Sequence, residues 1–283
     1  MTWAGDIGIK ETREVMELLR EKYGDDFNDF SLTIFVRRLG VALEKLGLPT
    51  ARALRDMLQR GNRSEYDRFL WALLPKTTEL FRDPSFWRCL RDRVLPEIAK
   101  RAGERFTVWQ AALDSGEELF SLLILLQEGG YEGCTVYSSY LGERMLRQSS
   151  SGYLPIRATD VDSANFTRCQ LRGQFSDYVR EVEGHREFTG AMLPRVRYVA
   201  QGPEFIPLET EDVSLVLCRN QLLYFNPKLC SRNLDILSRS LRQGGYLAIG
   251  VQERLVNLHN CSNFTLFTEQ ENIYLSLIHI SEP

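Results

Sequence analysis

The sequence lacks the closely spaced cysteine and histidine pairs that hold a structural zinc ion. Its six cysteines are scattered, and no two of them form a C-x-x-C pair. We therefore expect reduced, buried thiols in a cytoplasmic protein rather than a disulfide framework. The three histidines have no paired ligand spacing either, so we infer no bound metal.

Long apolar runs are also absent. The longest one, residues 119–126, is much shorter than the roughly 20 residues that cross a bilayer. No apolar segment follows Met1, so we expect no signal peptide and no membrane insertion. Lys and Arg number 35 against 38 Asp and Glu, which argues against a nucleic-acid partner for the chain as a whole. Hydrophobic residues make up 43%, enough for a packed core.

Residues 7–75 have the periodicity of helices. Phe35, Leu39, Leu43 and Leu46 follow the spacing of one helix face, and Gly47 ends that pattern. Similar apolar stripes precede and follow it, with no strand-like alternation. The pattern predicts a small helical bundle as an amino-terminal domain over residues 1–75.

This bundle carries a local excess of positive charge. Residues 33–68 contain eight Lys or Arg against four Asp or Glu. Such a run is compatible with an ordinary solvated face. It is equally compatible with a docking face for an acidic helical partner.

Beyond residue 104, apolar runs typical of buried strands alternate with helical segments. The strand candidates are residues 106–109, 134–139, 196–200, 213–218 and 246–249. Helices are predicted from Gly116 to the Gly129-Gly130 stop and over residues 227–241. This alternation predicts an α/β fold with a doubly wound, mostly parallel sheet, whose ligands bind at the carboxyl ends of the strands.

The turn after the first predicted strand, residues 110–118, contains one glycine and does not match G-x-G-x-x-G. Glu117 and Glu118 start the next helix. They suit a cationic or hydroxyl-bearing ligand, but they could equally serve only to complement the helix dipole.

Four segments in order resemble the CheR-type chemotaxis methyltransferases. Residues 78–86 resemble a T-x-F-F-R-D segment, and residues 108–118 resemble the first cofactor motif, V-W-S-A-G-C-S-T-G-E-E. Residues 218–225 are close to C-R-N-V-L-I-Y-F, and residues 244–253 are close to P-G-G-Y-L-x-L-G-x-x-E. The resemblance spans roughly residues 7–274 and implies a class I methyltransferase-like domain over residues 76–274.

The resemblance implies an S-adenosylmethionine cofactor and methyl transfer to glutamate side chains of chemoreceptor-type proteins. By it, Arg82 is the catalytic residue, beside the reacting carboxylate and the cofactor. Thr78, Glu118, Asn220 and the adjacent Gln221 match cofactor contacts. The alternative for Arg82 is a surface ion pair with a neighbouring acid, Asp83 or Glu79.

The sequence departs from the family at two places. Leu113 and Asp114 stand where the family has small residues. At the end of the second strand the family has an acid that holds the ribose hydroxyls, whereas this chain offers Tyr140 or the distant Asp160. We expect Tyr140 at the ribose and Asp160 in a loop. Loss of the acid predicts cofactor binding weaker by about tenfold to several hundredfold. The alternative function is therefore a catalytically impaired signalling scaffold that keeps the fold.

The last nine residues, 275–283, read like the translation of a transposon-based sequencing adapter. We expect them to be a non-native tail.

Overall fold

The computed structural model describes residues 7–74, 79–103, 105–113, 115–156, 159–210, 212–255 and 261–277. Two positions singled out from the sequence, Thr78 and Asp114, lie outside these ranges.

Helices account for most of the amino-terminal third and alternate with strands afterwards. Their bounds are α1 Ile9–Leu18, α2 Leu32–Leu46, α3 Ala51–Arg60, α4 Arg63–Leu73, α5 Pro84–Cys89, α6 Leu95–Ala102, α7 Glu117–Glu128, α8 Glu143–Ser151, α9 Thr159–Cys169 and α10 Pro227–Ser240. The first four confirm the predicted helical bundle. The ends follow ordinary capping: Thr50 and Asn62 accept hydrogen bonds at the starts of α3 and α4, and Gly47 ends α2 in the left-handed conformation.

The strands form two sheets. Their bounds are β1 Thr107–Gln110, β2 Thr135–Tyr140, β3 Tyr153–Leu154, β4 Val179–Val182, β5 His185–Phe188, β6 Arg197–Ala200, β7 Val213–Cys218, β8 Leu241–Ile249, β9 Phe264–Thr268 and β10 Ile273–Ser276. The large sheet has the order β6-β2-β1-β7-β8-β10-β9. Its first five strands pair in parallel, and β10 pairs antiparallel with both neighbours. This confirms the predicted doubly wound, mostly parallel sheet.

The order in which the chain adds strands to the large sheet reverses at β1. From β1 it winds outward through β2 to β6, and it then returns to the other side of β1 as β7. The carboxyl ends of β1 and β7 thus border the topological switch point, where ligands bind in this class of sheet.

Both faces of the large sheet are buried, and alternate residues of β1 serve different clusters. Val108 belongs to the cluster beneath α7, while Trp109 belongs to a cluster that continues into the bundle through Phe35 and Leu70. The bundle and one sheet face therefore share a single apolar core.

Two carboxylates in the amino-terminal region, Asp67 and Asp29, bind groups in the rest of the chain. The Asp67 carboxylate accepts the backbone N–H of Arg144 at 3.0 and 3.1 Å and so caps α8, whose own N-cap residue is a glycine. Asp29 accepts hydrogen bonds from Arg232 (2.8 Å) and Asn226 (3.1 Å), and Arg232 lies on α10.

Some elements differ from the sequence-based expectations. The small sheet β3-β5-β4 was not predicted, nor were β9 and β10. The expectation that Asp160 lies in a loop was wrong, since it lies in the first turn of α9 and is exposed.

Strand β10 runs through Leu275 and Ser276, so the first two residues of the predicted tail pair with the sheet, and residues 278–283 lie outside the described part of the chain. Among the described residues, no helix is both long and apolar enough to cross a membrane.

Candidate functional site

A buried ion pair lies at the switch point. Glu118, in the first turn of α7, is 4% exposed, and its Oε2 lies 3.2 Å from Nη1 of Arg219, which follows β7. The same guanidinium lies 2.6 Å from Oδ2 of Asp83 and over the ring of Phe86 at 4.0 Å. Arg219 therefore joins α7, the end of β7 and the start of α5.

The second oxygen of Glu118 is unpartnered. Within the described residues, Oε1 is buried and accepts no hydrogen bond. Burial raises the pKa of Glu118, and the positive charges of Arg219 and, more weakly, of Arg82 oppose that rise. A buried carboxylate oxygen without a donor is costly, so it marks a place where a cationic or N–H-bearing ligand would be stabilised.

The loop after β7 is held by Glu253. Its carboxylate accepts the backbone N–H groups of Asn220 (2.9 Å), Leu223 (3.2 Å) and Gly250 (2.6 Å). Asn220 has a left-handed backbone, with φ of +56°. Gly250 permits this close approach, because a Cβ there would lie 2.6 Å from Asn220 Oδ1. Asn220 is thus fixed in a strained conformation of the kind found at functional sites.

Three glutamines hold the turn between β1 and α7. Gln110 donates to the carbonyl of Ala112 at 2.6 Å, and Gln148 of α8 donates to the carbonyl of Ser115 at 2.8 Å. Gln221 accepts the N–H of Leu113 at 3.2 Å. Side chains from β1, from α8 and from the loop after β7 therefore fix a turn that has few glycines.

Leu113 itself is 3% exposed and belongs to the apolar cluster shared by the bundle and the sheet. Its side chain is part of that core, together with Trp109, Leu141 and Met145.

Arg82 lies at the edge of the switch point and is exposed. The residues on either side of it, Phe81 and Asp83, both have positive φ, at 53° and 59°. Burial raises the pKa of Tyr224, and the charges of Arg38, Arg37 and Arg82 oppose that rise. Arg82 therefore lies within electrostatic reach of both Glu118 and Tyr224. Within the described residues Arg82 forms neither alternative ion pair: Asp83 pairs with Arg219, and Glu79 accepts a hydrogen bond from Asn165.

Tyr140 ends β2, the strand next to β1, and is half-buried. Its carbonyl accepts the N–H of Gln201 after β6 at 2.9 Å. Tyr140 therefore stands at the carboxyl end of the strand beside β1, and its role at the ribose stays a prediction.

The structure brings Arg82, Glu118, Asn220 and Gln221 to the carboxyl ends of β1 and β7, with Tyr140 one strand away. Sequence reasoning assigned no role to Arg219 or Glu253, although both lie in the motifs quoted above. Gln110 lies within the quoted first motif but was assigned no role, and Gln148 carried no recognisable signal because its contact with Ser115 is distant in sequence.

Comparison with known proteins agrees with this geometry. The family model "CheR methyltransferase, SAM binding domain" matches residues 76–271. Cher3 of Pseudomonas putida is 28% identical over 248 residues, covering 86% of this chain and 88% of that protein. A chemotaxis protein methyltransferase of Vibrio parahaemolyticus is 27% identical over 272 residues, covering 89% of this chain and 92% of that one.

A third relative, chemotaxis protein methyltransferase 1 of Pseudomonas aeruginosa, is 28% identical over 228 residues, covering 78% of this chain and 81% of that protein. The family model covers well over half of the chain, and its bounds contain the switch point and every side chain of the site described above. The chain belongs to the CheR methyltransferase family, and its cofactor is S-adenosylmethionine.

Proposed function

We propose that this protein transfers the methyl group of S-adenosylmethionine to glutamate side chains of chemoreceptor-type proteins. The observation that carries the proposal is the buried, unpartnered Oε1 of Glu118 at the switch point, with the exposed Arg82 beside it. The first feature suits the cofactor, and the second suits an anionic acceptor.

The residues present fit the cofactor. The ammonium of its methionine part would supply the donor that Glu118 Oε1 lacks. Asn220 and Gln221 follow β7 at the same edge, and Tyr140 offers a hydroxyl for the ribose. Thr78, assigned from the resemblance, completes the proposed set. When bound, the cofactor supplies a methyl group already activated on a sulfonium.

The acceptor carboxylate needs orientation rather than activation. An ionised glutamate is already a nucleophile, so no general base is required. The planar guanidinium of Arg82 would bind it through two parallel hydrogen bonds and align it for in-line attack. The left-handed residues on either side of Arg82 fix where this guanidinium can reach.

We propose an acidic helical segment as the part of the partner that docks on the bundle. Several of the predicted basic residues serve the fold instead: Arg38 donates to the carbonyls of Leu73 and Leu74, and Arg55 pairs with Glu14. Arg37 and Arg52 remain exposed on α2 and α3. Arg37 is close enough to Tyr224 to affect its pKa, which connects the docking face with the site.

The second candidate is a scaffold without turnover. It is favoured by Tyr140 where the family has an acid, and by Leu113 and Asp114 where the family has small residues. Both functions predict the same fold, so only binding and turnover separate them.

The first test is calorimetric titration with S-adenosylmethionine and S-adenosylhomocysteine. Binding followed by transfer of a labelled methyl group to a receptor fragment, lost in Arg82→Ala, supports the proposal. Arg239→Ala is the matched control, because Arg239 is exposed on α10 and should leave turnover unchanged. Binding without turnover in the wild-type protein would instead favour the scaffold. If neither S-adenosylmethionine nor S-adenosylhomocysteine binds at millimolar concentration, the proposed methyltransferase activity is refuted.

A further inference from the structure

The backbone around Arg82 is strained and held from outside. Phe81 and Asp83 both adopt the left-handed conformation, which is unfavourable for residues other than glycine. A strained backbone of this kind persists only when several contacts with the rest of the protein hold it. Side chains of α7 and α9 make those contacts.

Three side chains on one face of α9 contact Leu80 and Phe81, the two residues before Arg82. Asp162 Oδ1 accepts the N–H of Leu80 at 2.7 Å, and Asn165 Nδ2 donates to the carbonyl of Leu80 at 3.1 Å. Phe166 packs edge-on against Phe81, with ring centroids 5.6 Å apart. The three residues are spaced i, i+3 and i+4, which places them on one side of the helix.

Helix α7 adds a fourth contact, through Ser121. Ser121 Oγ accepts the N–H of Phe81 at 2.8 Å and itself donates to the carbonyl of Glu117 at 2.7 Å. The N–H groups of Leu80 and Phe81 and the carbonyl of Leu80 are therefore all hydrogen-bonded to buried side chains.

The small sheet anchors Asp162. Its Oδ2 lies 2.7 Å from Nη2 of Arg186 on β5, and the two side chains are 1% and 2% exposed. Arg186 also donates to the carbonyl of Pro155 at 2.9 Å. The pair thus links the small sheet, through one carboxylate, to the backbone two residues before Arg82.

We infer that Asp162 is a positioning residue for Arg82, and that its ion pair with Arg186 couples the conformation of the small sheet to the placement of that guanidinium. This inference rests on the proposed role of Arg82 in orienting the acceptor. Asp162 touches neither acceptor nor cofactor, so its effect passes through the Leu80 peptide group.

The chain offers a matched control two residues away. Asp160 lies on the same helix but is exposed. Asp162→Asn removes the charge from a buried pair, whereas Asp160→Asn removes the same charge from the surface. Asn165→Ala is a milder variant, in case Asp162→Asn fails to fold, because it removes only the donor to the Leu80 carbonyl.

Trp87 provides a readout independent of activity. Its indole N–H donates to the Arg82 carbonyl at 2.9 Å, so a fluorotryptophan resonance, assigned with Trp87→Phe, reports on this segment. We expect the resonance to shift in Asp162→Asn and Asn165→Ala but not in Asp160→Asn. In Asp162→Asn and Asn165→Ala we also expect kcat to fall about tenfold to a hundredfold, with the KM for the cofactor nearly unchanged. These constants are measured at a temperature well below the melting temperature of each variant.

An unshifted Trp87 resonance together with wild-type kcat in the folded Asp162→Asn or Asn165→Ala protein would overturn the inference. If the wild-type protein itself shows no turnover, the proposed function fails, but the resonance alone still decides whether Asp162 positions the segment. A shift then supports the inference, and no shift overturns it.

Discussion

Arg219 Nη1 lies 3.2 Å from Oε2 of Glu118, and both side chains are almost completely buried. Glu118 depends on Arg219 for its counter-charge, because neither side chain has access to solvent, whereas Arg219 also pairs with the half-buried Asp83. This contact ties the end of β7 to the start of α7.

Replacing Arg219 by Met should therefore destabilise the protein strongly. Removing one partner of a buried pair leaves an uncompensated charge and costs about 3–5 kcal/mol in the free energy of unfolding. Denaturant unfolding at neutral pH measures this loss. Arg239→Met, which breaks an exposed pair with Asp235 on α10, should cost about 0.5 kcal/mol or less. The double variant Arg219→Met with Glu118→Gln should recover part of the loss, and no recovery would contradict the dependence of Glu118 on Arg219.

The glutamine contacts around the β1–α7 turn should support cofactor binding. Gln148→Ala removes the donor to the Ser115 carbonyl and loosens the turn that precedes Glu118. A net hydrogen bond of about 0.5–1.5 kcal/mol corresponds to about twofold to tenfold weaker binding of S-adenosylhomocysteine. Calorimetric titration measures it, with the exposed Gln59→Ala on α3 as control. Wild-type affinity in Gln148→Ala would show that the turn holds its shape without this contact.

Tyr140 allows a gain-of-affinity test. If it occupies the position of the family's ribose-binding acid, Tyr140→Asp should strengthen S-adenosylhomocysteine binding by about tenfold or more, because hydrogen bonds to a charged acceptor are stronger. Tyr140→Phe removes only the hydroxyl and should weaken binding. Weaker binding in Tyr140→Asp with unchanged binding in Tyr140→Phe would place the ribose elsewhere.

Asp29 should make a pH-dependent contribution to stability. The hydrogen bond from Arg232 lowers the pKa of Asp29 below its usual 3.8, so the folded state holds the ionised form more strongly than the unfolded state does. The stabilisation is complete above the unfolded pKa and disappears as the pH falls through the lowered folded pKa. Asp29→Asn should therefore cost about 0.5–1 kcal/mol at pH 7 and little under strongly acidic conditions.

Urea unfolding at several pH values tests this contribution. Asp212→Asn serves as the control, because its pair with Arg242 is largely exposed and should contribute little at any pH. A pH-independent loss in Asp29→Asn would mean that its charge plays no part in joining the bundle to α10.

The sequence predicted the central strands well. Strand β7 and the second half of β8 are apolar runs buried on both faces, and such runs give a strong local signal. Strands β1 and β2 are more polar but were located to within one residue, whereas β8 starts five residues before its predicted bound. The small sheet gives none, because β3 has only two residues and β4 contains Arg180 and Glu181. Its formation depends on contacts distant in sequence rather than on local pattern.

Helix α9 was missed for a different reason. Its buried face includes Asp162 and Asn165, so a search for an apolar stripe finds no amphipathic pattern there. Those polar residues are buried because they bind the Leu80 peptide group and Arg186. Motif resemblance located Arg82, Glu118 and Asn220, but it could not show which side chains hold them in place.

The cap that Asp67 provides for α8 has a practical consequence for protein engineering. A truncated version that begins after the bundle would leave the first turn of α8 without its acceptor and would expose to water the part of the shared apolar core that the bundle covers. Such a fragment should aggregate rather than fold. Attempts to separate docking from methyl transfer therefore need surface substitutions on the intact chain rather than deletion of its first helices.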